Sequence, residues 1–166
     1  GIKPDRLDLA LLVADATCTA AGVFTANLAQ AAPVLVSREH LASGRARAIV
    51  VNAGCANAGT GEGGLKDARE TAEIVAHTIG CRVEEVLVAS TGVIGVRLPM
   101  EKVRAGIAEA GRRISRHAGA DAARAIMTTD TKPKEVAVEF PVGDATCVVG
   151  GMAKGAGMIA PNLATM

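Results

Sequence analysis

Apolar positions in this chain come in short runs whose spacing changes along the sequence. Leu9 to Val13 (LALLV) is a continuous apolar run of strand length, and Ala20 to Thr25 (AAGVFT) is a second. Asp15-Ala16-Thr17 between them fits a turn, so the two runs read as a hairpin. Pro33 precedes Val34-Leu35-Val36, a short buried strand by the same test. Ser37 then suits the cap of a short helix that reaches Leu41 and stops at Gly44. Arg47 to Asn52 (RAIVVN) is the clearest central strand, being rich in β-branched residues. A small-residue loop, NAGCANAGTGEGG, runs from Asn52 to Gly64. The period then changes: Ala68, Ala72, Val75, Ala76 and Ile79 share one helical face, and Gly80 fits a left-handed C-terminal cap.

Val86-Leu87-Val88 gives a further strand, which opens onto Ser90-Thr91-Gly92-Val93-Ile94-Gly95. Pro99 suits the first turn of a helix whose apolar stripe is Met100, Val103, Ile107, Ala110 and Ile114. His117-Ala118-Gly119 ends it. An Ala-rich helix from Ala122 to Met127 leads to the polar cluster Thr128-Thr129-Asp130-Thr131-Lys132. Val136 to Phe140 alternates as a half-buried strand, and Cys147-Val148-Val149 is the last strand before a glycine-rich end. Strands and helices alternate through the middle, with strand pairs at both ends. That predicts a mixed α/β fold of layered sheets flanked by helices, with residues 1–166 forming one domain or one half of a larger one.

Composition removes several function classes. With no Trp, no Tyr and only two Phe, the chain lacks the aromatic platforms on which nucleic-acid bases stack. Eighteen basic residues against seventeen acidic ones leave no cationic block to neutralise phosphates, so no nucleic-acid partner is expected. Cys18, Cys55, Cys81 and Cys147 are scattered, which suits free thiols in a reducing compartment. His40, His77 and His117 share no ligand spacing, so no metal site is expected. No apolar run approaches the roughly 20 residues of a membrane span, and no signal peptide is visible. A cytoplasmic protein with no membrane association is the expectation.

Four stretches are candidates for chemistry. Gly59 to Gly64 (GTGEGG) follows the G-x-G-x-x-G pattern, with Glu84 further on, but it lies too far past the strand end at Asn52 for a dinucleotide fingerprint. Gly151-Met152-Ala153-Lys154-Gly155 sets a lysine among glycines without completing a phosphate loop. Ser90-Thr91-Gly92, just past a strand, offers a hydroxyl and a backbone N–H side by side, the two donors an oxyanion needs; it is also a common turn sequence. Thr165 follows Ala164 in an apolar end, Gly150 to Met166, that reads as an interrupted fold. Cleavage at Ala164-Thr165 would give a threonine whose α-amine, with a pKa of about 7.7–8, serves as its own base. The same hydroxyl can make that cut by attacking the Ala164 carbonyl.

The runs AAPVLVSREHL, AIVVNAGCANAGTG, EVLVASTGVIG, IMTTDTKPK and KGAGMIAPNLATM resemble the bacterial ornithine acetyltransferase family, which moves acetyl from N-acetylornithine to glutamate in arginine biosynthesis. The resemblance covers nearly the whole chain, on the α-chain side, and starts a little inside the usual N-terminus. It implies an α-β-β-α type sandwich and self-cleavage at Ala164-Thr165, with Met166 lying beyond the cut. It also implies a β-chain beginning at or near Thr165 and an α2β2 assembly. Thr165 would be the nucleophile, Thr91 and Gly92 the oxyanion hole, and Thr131 and Lys154 substrate contacts. No cofactor is implied, although some members also take acetyl from acetyl-CoA. The loop NAGCANAGTG departs from the family's NSGNANACTG at Cys55 and Gly59. Two other readings remain at this point. One is an N-terminal-nucleophile aminopeptidase of related fold, and the other a non-catalytic amino-acid-binding module.

Overall fold

The spine of the molecule is a parallel pair, Arg45–Cys55 (β2) with Val86–Val93 (β3), in a computed structural model that describes residues 2–155. Parallel neighbours need a crossover, which the helix Gly61–Ile79 (α2) supplies. Leu9–Thr19 (β1) pairs antiparallel to the other side of β2, with Leu9 opposite Asn52, so the sheet order is β1-β2-β3. Ala32–His40 (α1) precedes β2, and Met100–Arg112 (α3) and Gly119–Ala125 (α4) follow β3. Lys134–Val142 (β4) and Ala145–Ala153 (β5) form a separate antiparallel hairpin that turns at Gly143, where φ is 58°.

Strand alternation assigns the two faces of the sheet. Leu9, Leu11 and Val13 of β1, Ala48 and Val50 of β2, and Val86 and Val88 of β3 meet α1, α2 and α3 in the main core. The residues between them point the other way. There Ala10, Leu12 and Val51 meet Ala122, Ala125 and Ile126 at α4, together with Met152 of β5. Much of this second face stays open, and Ile49 is 39% exposed. The described residues thus give a mixed α/β fold, with α1, α2 and α3 on one face of a three-stranded sheet and α4 over part of the other.

Several sequence expectations change. The Asp15-Ala16-Thr17 turn is not a turn: β1 runs through it, and its register against β2 slips between Val13 and Cys18. Polar residues there are tolerated because a bulge leaves them unpaired. Ala20 to Thr25 lies outside any strand, so no hairpin forms. Val34-Leu35-Val36 belongs to α1, since three consecutive apolar residues do not separate a strand from a buried helix. Ser37 is accordingly not a cap. Its hydroxyl donates to the Val88 carbonyl at 2.7 Å and accepts the Val88 N–H at 2.9 Å, while His40 Nδ1 lies 2.7 Å from the Val86 carbonyl. Two α1 side chains therefore occupy the free edge of β3.

The stop at Gly44 holds, with a left-handed φ of 67° after a 3-10 turn over Leu41–Ser43. Gly80 caps α2 as expected, at φ 70° and ψ 50°. β2 runs further than RAIVVN and α2 starts earlier than its apolar stripe, which shrinks the predicted Asn52–Gly64 loop to residues 56–60. Ile114 falls beyond α3 and is exposed. The half-buried strand at Val136 to Phe140 is exposed at every position, because the described residues meet the hairpin only near its Met152 end. No helix among the described residues is long and apolar enough to cross a membrane.

Candidate active site

The ends of β2 and β3 meet at two glycines, Gly54 opposite Gly92, with Ala53 opposite Thr91. Their φ angles are 125° and 134°, a region that side-chain residues avoid. A β-carbon on Gly92 would lie 2.5 Å from the Cys55 nitrogen, so the two backbones touch and only glycine fits. Thr91 is half-buried and Gly92 exposed at this strand end. A hydroxyl and an N–H on adjacent residues at a fixed sheet edge are suited to a developing negative oxygen.

The segments just beyond the glycine pair are tied down on several sides. The Ala56 N–H donates to the Val93 carbonyl at 2.9 Å, and the Gly95 N–H to the Ala58 carbonyl at 2.8 Å. The Cys55 thiol lies 3.1 Å from the Val96 carbonyl. Arg97 grips Asp67 of α2 through two hydrogen bonds of 2.6 and 2.7 Å, and the Asp67 side chain is only 5% exposed. The loop that carried the glycine pattern is filled by its own side chains. Asn57, fully buried, donates to the Gly64 carbonyl and accepts the Thr60 hydroxyl, both at 2.8 Å. Residues 56–60 are thus the seat for the chain beyond Thr91-Gly92.

A second cluster forms where α4 ends and β5 ends. Asp130 Oδ1 accepts the Lys134 ammonium at 2.7 Å and the Gly155 N–H at 2.6 Å, and Oδ2 accepts the Thr128 N–H at 3.2 Å. The Asp130 side chain is 1% exposed. The Lys134 bond, aided by the Gly155 and Thr128 N–H groups, holds its carboxyl well below the usual aspartate range. Thr131 and Lys154, chain neighbours of the bonded Asp130 and Gly155, are therefore brought to the same place. Thr131 is exposed, and the Lys154 ammonium bonds the Gly155 carbonyl at 2.6 Å.

Lys3 spans the two clusters. Its N–H donates to Asp8 at 2.6 Å, and the Asp8 carbonyl accepts the Ala53 N–H at 2.8 Å, which docks the N-terminal segment on the end of β2. Ile2 and Lys3 lie over Gly54: a β-carbon there would be 2.8 Å from Ile2 Cγ2 and 3.3 Å from Lys3 Cγ. The Lys3 ammonium reaches the Met127 carbonyl, 2.7 Å away, beside the Thr128–Lys132 turn. Burial lowers the Lys3 pKa, with Arg6 and Lys154 pushing the same way against Asp8.

Ala164 and Thr165 lie outside the described residues. Sequence reasoning missed Lys3, Asp67, Arg97 and Asp130. Only Asp130 carried a signal, its place in a polar cluster after an apolar helix. Among the described residues no three His, Cys, Asp or Glu side chains gather as metal ligands.

The family model for ArgJ matches the chain over residues 1–166. The chain belongs to the ArgJ family. The arginine biosynthesis bifunctional protein ArgJ of Symbiobacterium thermophilum is 54% identical over 161 residues, covering 97% of this chain and 40% of that protein. The ArgJ protein of Geobacter sulfurreducens is 52% identical over 164 residues, covering 99% and 42%. The chain thus spans about two fifths of the length of these ArgJ relatives. Among solved structures, ornithine acetyltransferase from Mycobacterium tuberculosis, complexed with ornithine, superposes with a TM-score of 0.90 at 48% identity, over 97% of this chain and 86% of that one. ArgJ from Bacillus halodurans gives a TM-score of 0.88 at 38% identity, over 97% and 85%.

Proposed function

We propose that this chain is the α-chain part of a glutamate N-acetyltransferase of arginine biosynthesis, which moves acetyl from N-acetylornithine to glutamate after cutting itself at Ala164-Thr165. The observation that carries the reading is the Gly54–Gly92 contact, which leaves Thr91 and Gly92 as paired donors at a rigid strand end. Family membership and the ornithine bound to the Mycobacterium tuberculosis enzyme support the substrate class.

In the maturation step the Thr165 hydroxyl attacks the Ala164 carbonyl, the amide nitrogen leaves, and an ester forms. Water cleaves that ester, so Ala164 keeps a carboxylate and Thr165 gains a free α-amine. In the transfer cycle this amine takes the hydroxyl proton as Thr165 attacks the acetyl carbonyl. Thr91 Oγ–H and Gly92 N–H hold the tetrahedral oxyanion, each donor of this kind being worth about 100- to 1000-fold in rate. The proton passes to the departing ornithine amine, which leaves Thr165 as an acetyl ester. Glutamate's amine attacks the ester, and Thr165 recovers its proton. Lys154 pairs with the substrate α-carboxylate and Thr131 adds a hydrogen bond. Acetyl-CoA is an alternative acetyl donor for the same ester, and the cycle uses no cofactor.

The rest of the protein is proposed as the partner, a β-chain starting at Thr165 within a cytoplasmic α2β2 assembly. The exposed hairpin supports this. Register places Val136, Val138, Phe140, Val142, Ala145, Cys147, Val149 and Gly151 on one apolar face. Such a face needs a cover, and a second sheet over it and over the open side of β1-β2-β3 would complete the α-β-β-α sandwich.

Intact mass spectrometry of the full-length protein beside a Thr165→Ala version tests the reading. Two fragments parted at Ala164-Thr165 are expected for the first and one whole chain for the second. N-acetylornithine should then add one acetyl group to the fragment that begins with Thr165. A wild-type chain that stays whole would refute the threonine mechanism.

A further inference from the structure

The ladder between β4 and β5 ends at the pair Lys134–Ala153, so Lys154 and Gly155 lie past its last pairing. A lysine there would swing freely unless something else held the backbone. Asp130 does so: its buried carboxylate binds the Gly155 N–H from one side and the Thr128 N–H from the other, with Lys134 completing its shell. One side chain thereby joins the turn that carries Thr131 to the strand exit that carries Lys154.

The charge arrangement also matters. The negative charge of Asp130 is absorbed by Lys134 and two backbone N–H groups, whereas Lys154 turns to the neutral Gly155 carbonyl. An anion that paired with Lys154 would compete with an incoming carboxylate. The observed partner, a carbonyl, gives way to a carboxylate readily because the charge-assisted bond is stronger.

We propose that Asp130 is a positioning residue for amino-acid binding, fixing the spacing of Thr131 and Lys154 so that both meet the α-carboxylate end of the substrate. This rests on the acetyl-transfer reading. Asp130 does not touch substrate and takes no proton in the cycle. Its loss removes ground-state and transition-state binding alike, so the effect falls on KM.

The experiment is steady-state kinetics of the full-length, self-processed enzyme with N-acetylornithine and glutamate, comparing wild type with Asp130→Asn. An amide turns an N–H₂ toward one of three donors and cannot satisfy all of them. KM for N-acetylornithine should rise at least about tenfold while kcat stays within about threefold. A protein that is merely less folded shows the opposite, a lower apparent kcat at unchanged KM, and that result would overturn the proposal, as would wild-type kinetics. Where Asp130→Asn yields no folded enzyme, Lys134→Gln carries the test, because it strips the cation that absorbs the Asp130 charge and frees that carboxylate to compete with substrate for Lys154. A KM increase of about threefold there supports the proposal and an unchanged KM overturns it. Failure of the wild type to transfer acetyl counts against the reaction itself, whereas an active wild type with unaltered variants counts against Asp130 alone.

Discussion

Thr91 and Gly92 are adjacent, yet their substitutions should fail for different reasons. Thr91→Val keeps the shape of a half-buried side chain and deletes one donor. We expect kcat to fall about 100- to 1000-fold with thermal stability nearly unchanged. Gly92→Ala retains the N–H but drives a methyl into Cys55 and holds alanine at a φ of 134°. The strained φ costs about 1–3 kcal/mol and the clash adds about as much, so this variant should show a lowered melting temperature before any kinetic defect is measured. Equal losses of stability in both variants would contradict the donor role of Thr91. At this scale the strand end at Ser90-Thr91-Gly92 was legible in the sequence, because a β-branched run that stops at a glycine marks where a strand leaves its ladder. Asp130 and Lys3 stayed hidden for the opposite reason. Their importance lies in burial and in partners far along the chain, Met127 for Lys3 and Gly155 for Asp130.

Among the elements, periodicity identified α2, α3 and the centres of β2 and β3, where a buried face repeats over several turns or a run of β-branched residues. It misjudged short apolar runs: Val34 to Val36 became helix, and Ala20 to Thr25 joined no strand. Alternation from Val136 to Phe140 did mark a strand, but the half-burial it predicted is absent among the described residues, because what covers a face is not written in the strand itself. Phe140, 41% exposed in this chain, measures that cover. Phe140→Asp in the full-length protein should lower stability by about 1.5–3 kcal/mol, the worth of burying an aromatic side chain. Thermal or urea unfolding reads it out. A change within about 0.5 kcal/mol, typical of an open surface position, would mean that the rest of the protein leaves the hairpin bare.

For the whole molecule, the loop seating, the Asp67–Arg97 grip and the Lys3 span all converge on the ends of β2 and β3, so the site is assembled from segments far apart in sequence. Global unfolding and loss of the site should therefore coincide. The bonds from Ser37 and His40 to the outer edge of β3 have another consequence. They give the sheet a polarity of growth: no new strand can zip onto β3 without first evicting α1, whereas the outer edge of β1 carries no strand among the described residues. A strand added to this sheet from outside the described residues therefore has its open edge beside Leu9–Thr19. Amide hydrogen exchange on the full-length protein would reveal it as slow exchange at the β1 amides that face away from β2. Docking of a strand on β3 instead would show α1 to be a removable latch rather than a fixed border.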